Sequence, residues 1–380
     1  MHRLQVELSA QANEYEIHIG RDLLKQSGDL VRQAIGKATR RLVVISDKNV
    51  FGLYGAIVNA SLERAGFNTT ISLIGLGEKH KSLATLERCL RFLSENRIER
   101  SDAIVTLGGG IVGDLAGFAA AIYLRGIRFV QIPTTLLAQT DASIGGKVGI
   151  NLSDGKNRIG AFHHPAAVIA DVDTLKTLPA RELTAGWCEC IKQGAVGSRK
   201  LFSQTLNYLT ARPLKEIADS KLEDLIAAHC AFKVSIVKGD ERENETRFDH
   251  RSRRILNFGH TVAHALEQAT SYRQFRHGEA VGYGMLAAGE LSKNLGLLDK
   301  SELELLRRGV QSCGPLPPTD GIDIQSIVEE IAFDKKRASG QMHWVLIEQI
   351  GKARIVGGDS IAPKLLRTSI KEALRSQAKY

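Results

Sequence analysis

Two periods of apolar and polar positions divide the chain. Near the start, LQVELSA and YEIHIG within residues 3–19 place an apolar side chain at every second position, the pattern of edge strands or a hairpin. RLVVISD (41–47) is a continuous apolar run, as expected of a buried strand. LYGAIVNASLERAG then shows helical spacing and stops at Gly66. NTTISLIGL predicts the next strand and SLATLERCLRFLSENR the next helix, with Ser82 as its N-cap. DAIVTLGGG (102–110) predicts a strand running into glycines, IVGDLAGFAAAIYLRG a helix, and RFVQIPTT (128–135) another strand. This alternation predicts an α/β nucleotide-binding domain with a mostly parallel sheet and helices on both faces.

From about Asp173 the period becomes helical. LIAAHCAFKVSIVKGDERE, LNFGHTVAHALEQAT and AVGYGMLAAGELSKNLG all carry it. HWVLIEQIGKARIVGG predicts a late hairpin, and the end of the chain returns to helix. The 380 residues are too many for one ordinary core, so two domains are expected: 1–177, α/β, and 178–380, mainly helical.

Composition narrows the function classes. The formal charge is +9, but the Lys and Arg residues are dispersed and no nucleic-acid motif accompanies them. A basic surface that attracts anionic small molecules fits better than a nucleic-acid binder. The five cysteines are scattered and form no CxxC pair, which argues against a disulfide framework and for a reducing, cytoplasmic setting. MHRLQVELSA lacks the apolar core of a signal peptide, and the apolar stretch 115–124 falls short of the ~20 residues of a membrane span. No membrane partner is expected.

The chemistry concentrates in three regions. In TLGGGIVGD (106–114), glycines between a strand and a helix let backbone N–H groups approach a phosphate. The string is neither G-x-G-x-x-G nor a P-loop, so alone it does not separate a nucleotide diphosphate site from a tight strand-to-helix connection. Asp47 ends an earlier strand, where an acid often meets a ribose hydroxyl. His260 and His264 sit four apart on one predicted helix face, His277 opens the next helix, and Glu189 lies on another. Imidazoles and a carboxylate suit Zn²⁺ or a similar ion, but spacing does not say which histidine is a ligand and which a base. Cys188 and Cys190 flank Glu189 on different helix faces and read as packing residues. Finally, DASIGGKVGINLSDGKN (141–157) places Lys147 and Lys156 on irregular backbone near Asp141 and Asn157. Lys233, Glu243, Arg253 and Asn257 precede His260, and Lys335 and Lys336 follow Asp334. Cations converging on a metal would suit a substrate bearing phosphate and carboxylate.

Taken together, GEKHKS, TLGGGIVGDLAGF, RGIRFVQIPTTLLAQTDASIGGK, GKNRIGAFHHP, LKTLPARELTAG, KGDERE, ILNFGHT, HGEAVGYGM and FDKK closely resemble the 3-dehydroquinate synthase family, in that family's order from about residue 77 to 336. The resemblance implies a nucleotide-binding domain, a helical metal-binding domain, an active site in the cleft between them, and a homodimer. It implies metal ligation by Glu189, His260 and His277, with His264 as an acid/base rather than a ligand. Glu243 falls on a second proton-handling position. Substrate contacts fall on Asp141, Lys147, Asn157, Lys192, Lys233, Arg253, Asn257, Lys335 and Lys336, and Arg125 on an arginine that reaches the neighbouring subunit's site. Lys147, Arg253 and Asn257 also count as catalytic. NAD contacts fall on Asp47, Glu78, Lys81, Gly109, Gly110, Asp114, Thr134, Thr135, Lys156 and Thr177.

The implied reaction turns a phosphorylated seven-carbon sugar acid into a carbocycle with loss of phosphate. It proceeds through transient NAD-dependent oxidation, β-elimination, reduction, ring opening and aldol closure, assisted by zinc or cobalt. Val148, Ala263, Trp187, Cys188, Cys190 and an insertion within 244–252 depart from the family's usual pattern and bear on substrate fit. Another sugar-phosphate cyclase and a metal-dependent polyol dehydrogenase are the rival enzymes. Lys147, Asn157 and Arg253 favour the acid substrate. A non-catalytic polyanion binder is the rival from another class.

Overall fold

A computed structural model describes residues 14–152, 155–211, 220–337 and 342–375, with 334–337 as backbone alone. Its main sheet contains β1 (Glu16–Gly20), β2 (Arg41–Asp47), β3 (Asn68–Ile74), β4 (Ala103–Gly108), β5 (Arg128–Pro133) and β8 (Ala167–Asp171). The order is β1-β8-β5-β4-β2-β3, and every pairing is parallel. Helices cover both faces, which explains the continuous apolar runs. In β2, Val43 and Ile45 pack with Leu115 and Phe129 on one side, while Leu42 and Val44 pack with Val31 and Leu62 on the other. Ser82 accepts the N–H of Thr85 and caps the helix Leu83–Glu95.

The C-terminal ends of β2, β4, β5 and β8 point to one rim. In register, Gly108 lies opposite Pro133, and Asp47 ends beside Ile74. Ligands of open parallel sheets bind along this rim. The glycine-rich turn leaves it and enters the helix Gly110–Ile122.

The second half is mainly helical around a large core that Leu136, Ile144, Val172 and Leu175 of the first half also join. The expected late hairpin is β9 (His343–Gln349) paired antiparallel with β10 (Lys352–Gly357). Residues 3–13 lie outside the described residues, and Glu16–Gly20 is an edge strand parallel to β8, one of the two arrangements its alternation predicted. Two details differ from expectation. The 141–157 stretch is less irregular than expected: Lys147 begins β6 (Lys147–Leu152), and Lys156 and Asn157 belong to β7 (Gly155–Phe162), its antiparallel partner. The helical stretch around His260 breaks at Gly259, whose φ of +79° separates a 3₁₀ turn, Arg253–Asn257, from the helix His260–Ala269.

Candidate active site

Three helices carry the candidate ligands. His260 and His264 lie one turn apart on His260–Ala269, and His277 opens His277–Asn294. One ring nitrogen from each of the three lies within 4.8 Å of the others. Glu189 enters from the middle of Ala180–Gly197 and is almost completely buried. Its Oε1 lies 3.7 Å from His277 Nε2 and 4.0 Å from His260 Nε2.

A buried carboxylate is normally well supplied with donors. Among the described residues, Oε1 of Glu189 receives no hydrogen bond, while the Lys192 ammonium meets Oε2. Ligand atoms about 2 Å from a shared ion lie no more than about 4 Å apart, so the orphaned Oε1 and the two imidazoles fit a divalent cation. Burial, then Lys192 and the neighbouring histidines, push the pKa of His260 well down. It is therefore a neutral imidazole with a lone pair to give. His264 is exposed to solvent along the cavity wall, and desolvation by the surrounding protein, then the nearby His277, moves its pKa down to about 4. His277 moves the other way: burial lowers its pKa, but Glu267 and Glu189 outweigh burial.

Polar groups line the space beside the histidines. A cavity of about 540 Å³ is walled by Lys156, Asn157, Glu243, Asn257, His264 and Glu267, among others. The Lys147 ammonium contacts Glu243, and Asn257 Nδ2 donates to Glu243 Oε1 at 3.2 Å. Asn157 and Glu243 both hold left-handed backbone, with φ of 52° and 55°, a conformation that non-glycine residues adopt at some cost. Lys233 Nζ donates to the carbonyl of Asp141 at 2.6 Å and pairs with its carboxylate. Burial would raise the pKa of Asp141, but Lys233 and Lys192 hold it far below the usual range. Arg253 is buried and donates to the carbonyl of Glu241 at 2.6 Å. The side chains of Lys335 and Lys336 lie outside the described residues.

The cofactor candidates follow the rim of the sheet. A Cβ on Gly108 would fall 2.6 Å from Val112 Cγ2, and one on Gly109 3.0 Å from Thr135 Cγ2, so the turn is built for bare backbone. Thr134 and Thr135 follow β5, and Gly110 starts its helix. Asp47 Oδ1 caps the following turn through the N–H groups of Asn49 and Val50, at 2.9 and 3.0 Å. Thr177 is exposed and contacts the Tyr54 hydroxyl. Glu78 accepts from Asn151 at 2.8 Å. Lys81 is buried and donates to Asp114 and Asn157, both at 2.5 Å. Arg125 stands apart on an exposed turn at φ 65° and does not line the cavity.

Two family models match the chain: the N-terminal part of 3-dehydroquinate synthase over residues 71–185, and its C-terminal part over 186–337. The chain belongs to the 3-dehydroquinate synthase family. A 3-dehydroquinate synthase of Symbiobacterium thermophilum is 42% identical over 367 residues, covering 95% of this chain and 98% of that one. One from Nostoc punctiforme is 38% identical, over 95% of this chain and 97% of that one. Among solved structures, the 2-epi-5-epi-valiolone synthase of Streptomyces hygroscopicus subsp. jinggangensis, with NAD⁺ and Zn²⁺ bound, superposes with a TM-score of 0.87. It is 25% identical and covers 98% of this chain and 100% of its own. A 2-deoxy-scyllo-inosose synthase complexed with carbaglucose-6-phosphate, NAD⁺ and Co²⁺ shares the fold at a TM-score of 0.79 and 24% identity, over 94% of this chain and 96% of that one.

Sequence reasoning passed over two residues at this dehydroquinate synthase-like site. Tyr54 braces the cofactor rim through Thr177 and the carbonyl of Thr174. Glu267 accepts from Lys156 Nζ at 2.8 Å and faces His277 Nδ1 at 3.3 Å. The spacing of His260, His264 and Glu267, at i, i+4 and i+7, already set it on their helix face.

Proposed function

We propose that the chain converts 3-deoxy-D-arabino-heptulosonate 7-phosphate to 3-dehydroquinate and phosphate, using NAD and a divalent metal, zinc or cobalt. The observation carrying this reading is the meeting of Glu189, His260 and His277 beside a cavity walled by Lys156, Asn157, Glu243, Asn257 and His264. In this reading the net reaction is that of a carbon–oxygen lyase. The nucleotide-binding unit spans 1–177 and the metal- and substrate-binding unit 178–380. The enzyme is a cytoplasmic homodimer in which Arg125 completes the partner's site.

Glu189, His260 and His277 hold the ion. Asp47, Glu78, Lys81, Gly109, Gly110, Asp114, Thr134, Thr135, Lys156 and Thr177 hold NAD, with the bare glycine turn against its phosphates. When bound, NAD supplies reversible oxidation of one substrate carbon, and the ion supplies Lewis acidity at the adjoining oxygens. His264 is neutral near pH 7 and so is in the base form for taking and returning a proton at its ring nitrogen. Glu243, held between Lys147 and Asn257, handles a second proton at its carboxylate. Lys147, Asn157, Lys192, Lys233, Arg253, Lys335 and Lys336 bind the phosphate and carboxylate of the substrate. They hold it folded for ring closure, where orientation lowers the barrier. Asp141 keeps Lys233 in place.

Phosphate release from the seven-carbon sugar acid phosphate, with NAD and metal present, tests the reading. Stoichiometric phosphate without accumulating NADH is expected, and Glu189→Ala should abolish it. Accumulation of NADH with product would point to a polyol dehydrogenase. Faster turnover of a neutral seven-carbon sugar phosphate would point to a different cyclase.

A further inference from the structure

Glu267 is an unusual buried charge. Its side chain is 2% exposed, so its carboxylate should be costly unless partners on both oxygens hold it. Both oxygens have partners, and the two partners come from different parts of the molecule. Oε1 accepts from Lys156 Nζ, on strand β7, at 2.8 Å. Oε2 faces Nδ1 of His277, the first residue of the next helix, at 3.3 Å. The same imidazole presents its other nitrogen, Nε2, to Glu189 Oε1 at 3.7 Å.

This arrangement decides the state of the ring. An acceptor-only carboxylate against Nδ1 requires a proton there. The lone pair of the neutral imidazole is then on Nε2, the nitrogen turned toward Glu189. The ring is also held in rotation, because swinging it would break the contact with a carboxylate already anchored by Lys156. Lys156 in turn lies 3.7 Å from Glu78, so the anchor belongs to a cluster of partly buried charges rather than to an isolated surface pair.

We infer that Glu267 is a positioning residue for the metal centre, fixing the tautomer and orientation of His277 through a carboxylate that Lys156 clamps from the cofactor side. The inference rests on the metal reading given above. Glu267 touches neither substrate nor metal in this scheme and acts only through His277. Carboxylates that orient ligating histidines in this way typically change metal affinity about 10–100-fold when removed.

The test uses metal-free full-length protein titrated with Co²⁺ in competition with a chromophoric chelator. Glu267→Ala and Glu267→Gln are compared with wild type. The alanine variant should bind Co²⁺ about 10–100-fold more weakly, with an altered visible absorption band. The glutamine variant keeps a neutral acceptor for Nδ1–H and should lose several-fold, less than alanine, while retaining the wild-type band shape. In the Zn²⁺-loaded wild type, ¹⁵N NMR of labelled histidines should show His277 protonated at Nδ1. A purely structural role for Glu267 would lower the melting temperature without altering the band or the tautomer.

Wild-type Co²⁺ affinity and spectrum in both variants would overturn the inference while leaving the metal reading intact. Failure of the wild type to bind Co²⁺ would overturn the metal reading and this inference with it. If the alanine variant does not fold, the glutamine variant decides alone: a several-fold loss supports the role, and unchanged affinity refutes it.

Discussion

Gly284 and Gly259 touch backbone to backbone: a Cβ on Gly284 would fall 2.0 Å from the carbonyl oxygen of Gly259. The reciprocal Cβ, on Gly259, would fall 2.6 Å from the N of Met285. Gly259 immediately precedes His260, and Gly284 lies two turns beyond His277 on the same helix. The distance between two candidate ligands is therefore set by a contact that only glycine permits. Gly284→Ala should force the helices apart, destabilise the protein by about 1–3 kcal/mol, and weaken metal binding beyond any change in fold. Thermal melts of the metal-free protein, run beside Co²⁺ titrations, separate the two effects. An alanine variant with unchanged metal affinity would show that this contact does not set the ligand spacing.

Glu189 and Lys192 form a second pair whose parts are separable. Both side chains are almost completely buried, one helical turn apart. Burial lowers the pKa of Lys192, but Glu189 and Asp141 reverse the effect and hold it charged. Removing Glu189 removes a ligand and also strands part of that charge. Glu189→Ala should abolish high-affinity metal binding and destabilise the metal-free fold by about 3–5 kcal/mol, as expected when one partner of a buried pair is lost. Adding Lys192→Met should recover most of the stability and none of the metal binding. Recovery of metal binding by the double variant would remove Glu189 from the ligand set.

Which parts of this were legible beforehand depended on whether the signal was local. β2 and β4 showed as apolar runs because both faces of the sheet are covered, and His260 and His264 showed as an i, i+4 pair because one helix carries both. The β6–β7 pair did not show. Its strands mix Gly, Lys and Asn, and Gly149 and Gly160 pack against each other's backbone, so the pattern looked like loop. Glu189 has no spacing relation to a histidine about seventy residues later; its carboxylate chemistry made it a candidate, and only the family resemblance made it a ligand. Glu267 was within reach of helical periodicity, but an acid at that position reads equally well as a solvated face. Three-dimensional packing alone reveals that Lys156 and His277 both meet it.

His229 supplies a pH dependence away from the metal centre. It is fully buried on the helix Ser220–Gly239, with Gln193 Oε1 2.9 Å from Nδ1 and Thr205 Oγ1 3.0 Å from Nε2. Burial drives its pKa down to about 3 from the ordinary 6.5. Between those values the unfolded chain binds a proton that the folded one does not, so folding stability falls as pH drops through this window. The loss should be about 2 kcal/mol at pH 5 relative to pH 8. His229→Gln should flatten this part of the profile. Urea melts of both proteins from pH 8 to pH 5 measure the difference, and parallel profiles would mean that His229 protonates without cost.

Lys81 offers the corresponding test on the cofactor side. Its buried ammonium spans Asp114, on the helix that follows the glycine turn, and Asn157, on β7. One side chain thus joins the element that should receive the NAD phosphates to the strand that should contact substrate. Burial raises the pKa of Asp114 even though Lys81 pulls against it, so the carboxylate depends on this lysine for its charge. Lys81→Met leaves the helix and the strand without their shared donor. Loss of a hydrogen bond to a charged group is worth about 1.5–3 kcal/mol, which corresponds to about 10–100-fold in NAD affinity if the bond is made only in the binding-competent arrangement. Co²⁺ affinity should stay at the wild-type level, because Lys81 touches none of Glu189, His260 and His277 among the described contacts. Calorimetric titration of NAD into metal-loaded protein reads the first quantity, and chelator competition the second. Equal losses in both would mean that Lys81 supports the fold as a whole, and no loss of NAD affinity would take it out of the cofactor site.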